Sequence, residues 1–337
     1  MPLHNERQSL EALAGDFCVK IAVDLMGGSG AGNENLRACS RYPDPDELIL
    51  VGLIDQLAPS LVSQLRSLGA DFRSCSSVLC GDETPRTLLK KSGQTSLAVA
   101  LALLARGEVD AVVSSADTKA IMVLGRSQVG TIHSLKRPAI AKAFLGPMGQ
   151  FYMLDLGANV RCSPDLLQQF ARLGSALHHS HTESEHHAAA RVGLLNIGTE
   201  RGKGTAELNQ AANLFRGDPD IHFVGFIEPS DLFAGSADVI VCDGYAGNLV
   251  LKTVESMASF LRSQLRELEM STDPLHSLAA KVDIDRYNGA LLAGLEGVVI
   301  KSHGSASERG FLHAILQGRE SVQGQLLRAC TEALATT

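Results

Sequence analysis

The sequence predicts an α/β protein, a doubly wound and mostly parallel sheet with helices on both faces. Three observations carry that expectation. Short apolar runs alternate with helical patterns over most of the 337 residues. Several of the runs end in a Gly-rich or polar turn that enters a helix, the punctuation of strand–turn–helix units. No apolar run reaches the roughly 18–20 residues that a membrane-spanning helix needs.

The elements follow in order. Residues 1–16 read as a loose or helical lead-in, and residues 17–330 as one α/β domain with a helical segment near 249–286. Cys18-Val19-Lys20-Ile21-Ala22-Val23-Asp24 reads as a first strand ending at Met26-Gly27-Gly28-Ser29-Gly30. Leu48 to Ile54 is a second strand, Gln56 to Leu68 a helix, and residues 70–79 hold a further strand. Thr95 to Arg106 reads as an amphipathic helix with Leu97, Leu101 and Leu104 on one face. The buried-looking run Asp110 to Ser115 leads into the turn Ala116-Asp117-Thr118-Lys119-Ala120. Strands are expected at Ala139 to Phe144 and Gln150 to Leu154, the second ending in Asp155-Leu156-Gly157-Ala158-Asn159. Ser163-Pro164 opens a helix to about Leu177, with serine as the cap and proline in the first turn. Strands near 192–197, 221–227 and 238–242 follow, then a helix from Asn248 to about Leu268, and a last strand from Gly297 to Ile300.

The totals exclude several classes. A net charge of -7 argues against a general nucleic-acid binder. Seven cysteines without a C-x-x-C pair read as reduced thiols, neither a disulfide frame nor a zinc site. The start Met1-Pro2-Leu3-His4-Asn5-Glu6-Arg7 lacks the apolar core of a signal peptide, so a cytoplasmic protein is expected. The histidine-rich stretch His178 to His187 has no fixed carboxylate or cysteine spacing and reads as an exposed connector. No metal and no cofactor are expected.

The stretch Arg191 to Lys252 is the most informative. Val192 to Gly198 passes into the turn Thr199-Glu200-Arg201-Gly202-Lys203-Gly204; Ala237 to Cys242 passes into Asp243-Gly244-Tyr245-Ala246-Gly247-Asn248. With the turns at 24–30, 115–120 and 155–159, these are expected to meet at one carboxyl edge of the sheet, where ligands of open α/β sheets bind. Such turns offer backbone N–H groups to an anion. Lys203 is either a solvated loop lysine or an anion-binding ammonium freed by its two flanking glycines. Asp243 is a helix cap or an orienting carboxylate. Asn248 is a helix N-cap or an amide donor to an oxyanion. His303, after the last strand, is a general acid or base or a helix-entry residue. The first turn does not match G-x-G-x-x-G, which leaves a dinucleotide dehydrogenase the weakest reading.

Taken together, Leu154 to Asn159, Gly193 to Gly198 with Lys203-Gly204, Cys242-Asp243-Gly244 with Gly247-Asn248, Leu251-Lys252-Thr253, Arg286 to Ala290 and Lys301 to Ser305 resemble the phosphate acyltransferase family. The resemblance runs from about Val19 to Ile315. It implies a three-layer α/β/α sandwich like that of isocitrate and isopropylmalate dehydrogenases, and a homodimer. It also implies transfer of a fatty acyl group from acyl carrier protein to inorganic phosphate, giving acyl phosphate for phospholipid synthesis. Lys203 and Asn248 match the positions that would do the catalytic work. Asp24, Gly27, Gly28, Thr118, Lys119, Asn159, Asp243, Gly244, Gly247, Lys252 and His303 match positions around the substrates.

The chain departs from the family pattern in three places. Ser29 stands where the family has Asp, Ala116-Asp117-Thr118-Lys119 replaces Gly-Asn-Thr-Gly, and Phe226-Ile227-Glu228-Pro229 replaces Asn-x-Glu-Gly. The family's bilayer-touching hairpin is represented by Leu265 to Arg286, mixed in charge and broken at Met270-Ser271-Thr272-Asp273-Pro274, so at most weak peripheral membrane contact is expected. Arg86, Lys90, Lys91, Lys136 and Arg137 are candidates for docking the acidic carrier protein. Two other readings are a phosphotransacetylase-like enzyme using a short acyl-CoA and a non-catalytic acyl- or anion-binding paralogue.

Overall fold

The computed structural model describes residues 19–29, 32–90, 93–132, 135–180, 189–200, 202–267, 285 and 288–335. The lead-in, most of the histidine-rich stretch, Lys91 and most of Leu265 to Arg286 lie outside the described residues.

The strands are β1 (Ile21–Asp24), β2 (Leu48–Gly52), β3 (Asp71–Ser74), β4 (Ala111–Ser114), β5 (Ala139–Gly146), β6 (Gly149–Leu154), β7 (Arg191–Leu195), β8 (His222–Ile227), β9 (Val239–Val241), β10 (Ala290–Ala293) and β11 (Val298–Lys301). The helices are α1 (Asn33–Ser40), α2 (Pro59–Ser67), α3 (Pro85–Lys90), α4 (Ser96–Ala105), α5 (Thr118–Gln128), α6 (Pro164–Ser180), α7 (Ala206–Gly217), α8 (Gly244–Glu267), α9 (Glu308–Gln323) and α10 (Leu326–Ala335).

All the strands join one 11-stranded sheet in the order β3-β2-β1-β4-β11-β10-β5-β6-β9-β7-β8. β3, β2, β1, β4 and β11 run parallel to one another. So do β6, β9, β7 and β8. Between the two parallel halves, β10 pairs antiparallel with β11 and β5, and β5 with β6. The sheet is mostly parallel, as the sequence suggests, but the alternation of strand and helix is not steady. β5 and β6 form a hairpin, as do β10 and β11. Each reversal is short, and three reversals leave the second half running against the first.

Helices cover both faces. One core lies between the sheet and α1, α2, α6, α7, α9 and α10, with Leu36, Phe170, Phe215 and Phe311 fully buried in it. The other lies under α3, α4, α5 and α8, with Leu88, Leu97, Leu101 and Leu124. This is a three-layer α/β/α sandwich. α4 is not amphipathic: Ala98, Ala100 and Leu103 are as deeply buried as Leu97 and Leu101, so it is a core helix on every side. Thr95 caps it by accepting from Ala98 N.

Candidate active site

The Gly-rich turns do not share one edge. The halves run in opposite directions, so the turns after β1, β4 and β11 leave one edge and those after β6, β7 and β9 the other.

At the first edge the register aligns Asp24 with Ser114 and Ser114 with Lys301. Asp24 is buried; Ser114 Oγ donates to its Oδ2 (2.6 Å) and Met26 N to its Oδ1 (3.0 Å). Burial pushes the Asp24 carboxyl above the usual carboxylate range, against the pull of these donors. Ser115 Oγ donates to Gly27 O (2.7 Å), and Ser29 N to Gly304 O (2.7 Å). A Cβ on Gly27 would stand 2.5 Å from Ala116 N, so this close approach of two turns requires glycine. A cavity of about 450 Å3 opens here, lined among others by Gly27, Gly28, Ser115, Thr118 and Lys301. Lys119 enters α5 through its backbone N–H, which Asp117 accepts as N-cap. The Asp117 departure therefore has a local job at the helix start.

At the second edge the turns after β6, β9 and β7 are neighbours. Leu154 pairs with Val241 and Val241 with Leu194, which brings Asp155 beside Cys242 just beyond and Asp243 level with Asn196 one residue further on. Asp155 is fully buried. Its Oδ1 accepts from the N–H groups of Ile140, Gly157 and Ala158, and its Oδ2 from Asn159 N and Nδ2. Asn159 Nδ2 also donates to Pro138 O (2.9 Å). Gly244 N donates to Asn159 O (2.7 Å), tying the start of α8 to this turn. Asn196 Nδ2 donates to Gly198 O and Lys203 O, each at 3.1 Å, and so shapes the Lys203 loop from inside. Lys203 is exposed, and its stem lies over Gly198, where a Cβ would stand 3.3 Å from Lys203 Cγ.

Asn248 is not a helix cap. α8 begins at Gly244, and the cap role falls to Asp243, whose Oδ1 accepts from Ala246 N (2.8 Å). Asn248 stands in the second turn, with its amide lying over Gly157, where a Cβ would be 3.6 Å from its Cγ and Oδ1. Around these turns four apolar side chains face outward: Val160 (66% exposed), Ile197 (79%), Tyr245 (63%) and Leu249 (53%).

α8 links the two edges. It leaves the second edge beside Asn159 and crosses the sheet face. Lys252, four residues and about 6 Å beyond Asn248, reaches His303 from the first edge, Nζ to Nε2 3.4 Å. Lys252 also donates to Glu255 Oε2 (2.8 Å). His303 is held by its N–H donating to Asn288 Oδ1 (3.0 Å). Burial, then the Lys252 charge, holds its imidazole below the usual histidine value.

Two residues near this cluster escaped the sequence reading. Lys301 is half-buried and Lys142 lies on β5 with its side chain 11% exposed. The signal for Lys142 was there, a single charge within Ala139-Ile140-Ala141-Lys142-Ala143-Phe144. The docking candidates do not form one patch: Arg86 and Lys90 sit on α3, while Lys136 pairs with Asp165 (3.8 Å) at the start of α6, on the other face. Among the described residues no helix is long and apolar enough to cross a membrane.

The fold has counterparts among solved structures. It is similar to a phosphotransacetylase from Streptococcus pyogenes (TM-score 0.62, 14% identity, 97% of this chain and 100% of that one). It is also similar to a branched-chain phosphotransacylase from Enterococcus faecalis V583 (TM-score 0.57, 16% identity, 90% and 99%). At these identities the likeness is one of fold alone. Sequence takes the assignment further. Residues 19–328 match the family model described as "Fatty acid synthesis protein". The chain is 37% identical over 335 residues to the phosphate acyltransferase of Bordetella parapertussis, covering 94% of each. To that of Shouchella clausii it is 34% identical over 332 residues, covering 94% of this chain and 98% of the relative. The chain belongs to the phosphate acyltransferase family.

Proposed function

We propose that this protein transfers a fatty acyl group from acyl carrier protein to inorganic phosphate, giving acyl phosphate. One observation carries the reading: Lys203 follows β7 and Asn248 stands near the start of the helix after the adjoining β9, and Val160, Ile197, Tyr245 and Leu249 in the turns and helix start of this second edge are exposed. A polar pair inside an apolar rim suits a thioester with a long hydrocarbon tail.

The chemistry asks little of the site in proton transfer. Phosphate at neutral pH is already an anion and a nucleophile, so Lys203 need only hold it beside the thioester carbonyl. A phosphate oxygen attacks the thioester carbon. The carbonyl oxygen becomes an oxyanion, which the Asn248 amide N–H stabilises. The C–S bond then breaks, and the thiolate of the carrier arm leaves and takes a proton from solvent. Thr118 and Lys119, with the turns of Gly27 and Gly28, border the same reaction from the first edge. Asn159, Asp243, Gly244 and Gly247 set the position of Asn248.

The test is phosphate-dependent release of free carrier thiol from acyl carrier thioester. Lys203→Ala and Asn248→Ala should each cut turnover at least about a hundredfold, the scale of losing one oxyanion donor, with the urea midpoint unchanged. Near-normal turnover in either variant refutes that residue's role. The likeness of fold to phosphotransacetylases favours a second reading, a short acyl-CoA as donor. Equal or better turnover with acetyl-CoA than with the acyl carrier thioester would establish it. Residues 17–330 then work as one acyltransferase domain in the cytoplasm, as a homodimer with at most weak peripheral membrane contact and no cofactor. Sedimentation at micromolar concentration tests the homodimer, and flotation with liposomes tests the membrane contact.

A further inference from the structure

The pairing of β1, β4, β11, β10 and β5 sets five residues in one row across the sheet. Asp24 pairs with Ser114, Ser114 with Lys301, and Lys301 with Ala290. The β10–β5 register, Leu291 with Ala141 and Leu292 with Ile140, leaves Ala290 opposite Lys142. Side chains of one row share one face. This row lies under α5 and α8, and Val23, Val113, Ile300 and Ala141 project into the core on the opposite face. Lys301 and Lys142 therefore rise from the same floor, separated only by β10 with its small Ala290, two strand spacings or about 10 Å apart.

α8 covers that floor with charge. Lys252 Nζ donates to Glu255 Oε2 at 2.8 Å. The other Glu255 oxygen lies 3.9 Å from Lys142 Nζ, too far for a hydrogen bond. One carboxylate thus serves two ammonium groups. Lys301 donates to Ser302 O (3.0 Å) and faces Asp117, its one favourable charge besides Glu255. Three ammonium groups meet two carboxylates in a half-buried place, and burial holds both Lys142 and Lys301 below the usual lysine value. His303 borders the same place. Its Nδ1 lies 3.0 Å from Ser305 Oγ and 3.3 Å from Ser305 N, and its Nε2 3.4 Å from Lys252 Nζ, so the ring bridges the 303–305 turn and the Lys252 ammonium.

We propose that Lys142, Lys252, Lys301 and His303 form an oxyanion subsite, one turn of α8 beyond Asn248, that takes a phosphoryl group. Its anion neutralises the surplus ammonium and accepts from Lys252 and Lys142 together. A phosphoryl group reaches this protein from two sources, free inorganic phosphate and the phosphopantetheine arm of the acyl donor. The subsite rests on the phosphate acyltransferase reading for its ligand but not for its test, which measures binding without turnover.

Lys142→Met keeps the stem and removes the charge. Because it removes a buried ammonium with only a long ion pair, it should fold at least as well as the native chain. Binding of inorganic phosphate and of 4′-phosphopantetheine to the full-length protein is measured by calorimetry. Lys142→Met is expected to weaken one of the two probes about tenfold or more. Weakened inorganic phosphate identifies the nucleophile as the ligand; weakened phosphopantetheine identifies the donor's arm. Unchanged affinity for both probes overturns the subsite, even where Lys203→Ala and Asn248→Ala abolish turnover. Should Lys142→Met fail to fold, the more exposed Lys252→Met is titrated in its place, with the same outcomes.

Discussion

Gly244→Ala tests whether the second edge is built as tightly as its hydrogen bonds imply. A Cβ at Gly244 would stand 2.6 Å from Asn159 O, 2.9 Å from its C and 3.0 Å from its N. All three are backbone atoms, so no side chain can swing aside. The α8 start and the 155–159 turn must separate by several tenths of an ångström. The Gly244 N–H to Asn159 O bond at 2.7 Å is then lost. Overpacking of this kind costs about 1–3 kcal/mol. A buried polar group left without its partner costs about 1–3 kcal/mol more. Alanine returns up to about 1 kcal/mol of helix propensity at this position. The expected loss is about 2–4 kcal/mol, a large share of ordinary domain stability. Equilibrium urea unfolding measures it, with Gly217→Ala as control, since nothing lies within 4 Å of a Cβ there. Phosphate-dependent thiol release should fall as well, because Asn248 rides on the displaced helix start. A Gly244→Ala midpoint as near to native as that of Gly217→Ala would refute the reasoning.

Two further outcomes follow from other parts of the fold. Arg172 holds the buried Asp218 with Nε at 3.0 Å from Oδ2 and an Nη at 3.0 Å from Oδ1. Arg172→Met strands that carboxylate with Gln168 Nε2 and Asp220 N alone, and should lower stability by about 3 kcal/mol in urea; a loss under about 1 kcal/mol would show the pair contributes nothing net. Reversing Arg86 and Lys90 on α3 to Glu should raise KM for acyl carrier thioester several-fold with kcat unchanged, and an unchanged KM removes α3 from the docking surface.

Most of the strands and helices were legible because their physical causes are local. A buried strand needs a short apolar run, and a helix start needs a cap such as Thr95, Asp117 or Thr205, each of which the structure uses. Strand direction has no such signature. Ala139 to Phe144 is equally apolar whichever way it runs, so the sequence reads the β5–β6 hairpin as more of the parallel pattern, and it offers no strand at β10. That error moved three turns to the wrong edge. The length of α8 was misjudged for a related reason. Asn248 looks like a cap in sequence, but Asp243 five residues earlier caps better and adds one more turn. Lys142 was hidden because a lysine in a strand usually reaches solvent, and only the packing of α8 over β5 shows that this one does not.

The reversal of the second half explains why so long a helix is needed. With both halves parallel, every turn would open at one edge, and one short helix would do. Here the Asp155 network fixes one end, and the Asp24–Ser114–Lys301 row fixes the other. α8 is the element that carries side chains from the first environment to the second. Asn248 and Lys252 sit on consecutive turns of the same face, so their spacing is set by helix geometry and not by loops. An acyl donor must have its thioester carbonyl and the phosphoryl group of its carrier arm held at fixed separation. A rigid helix anchored by Gly244 at one edge and by the Lys252–Glu255–Lys142 contacts beyond it can hold that separation. Two loops meeting across a cleft would each have to be ordered anew.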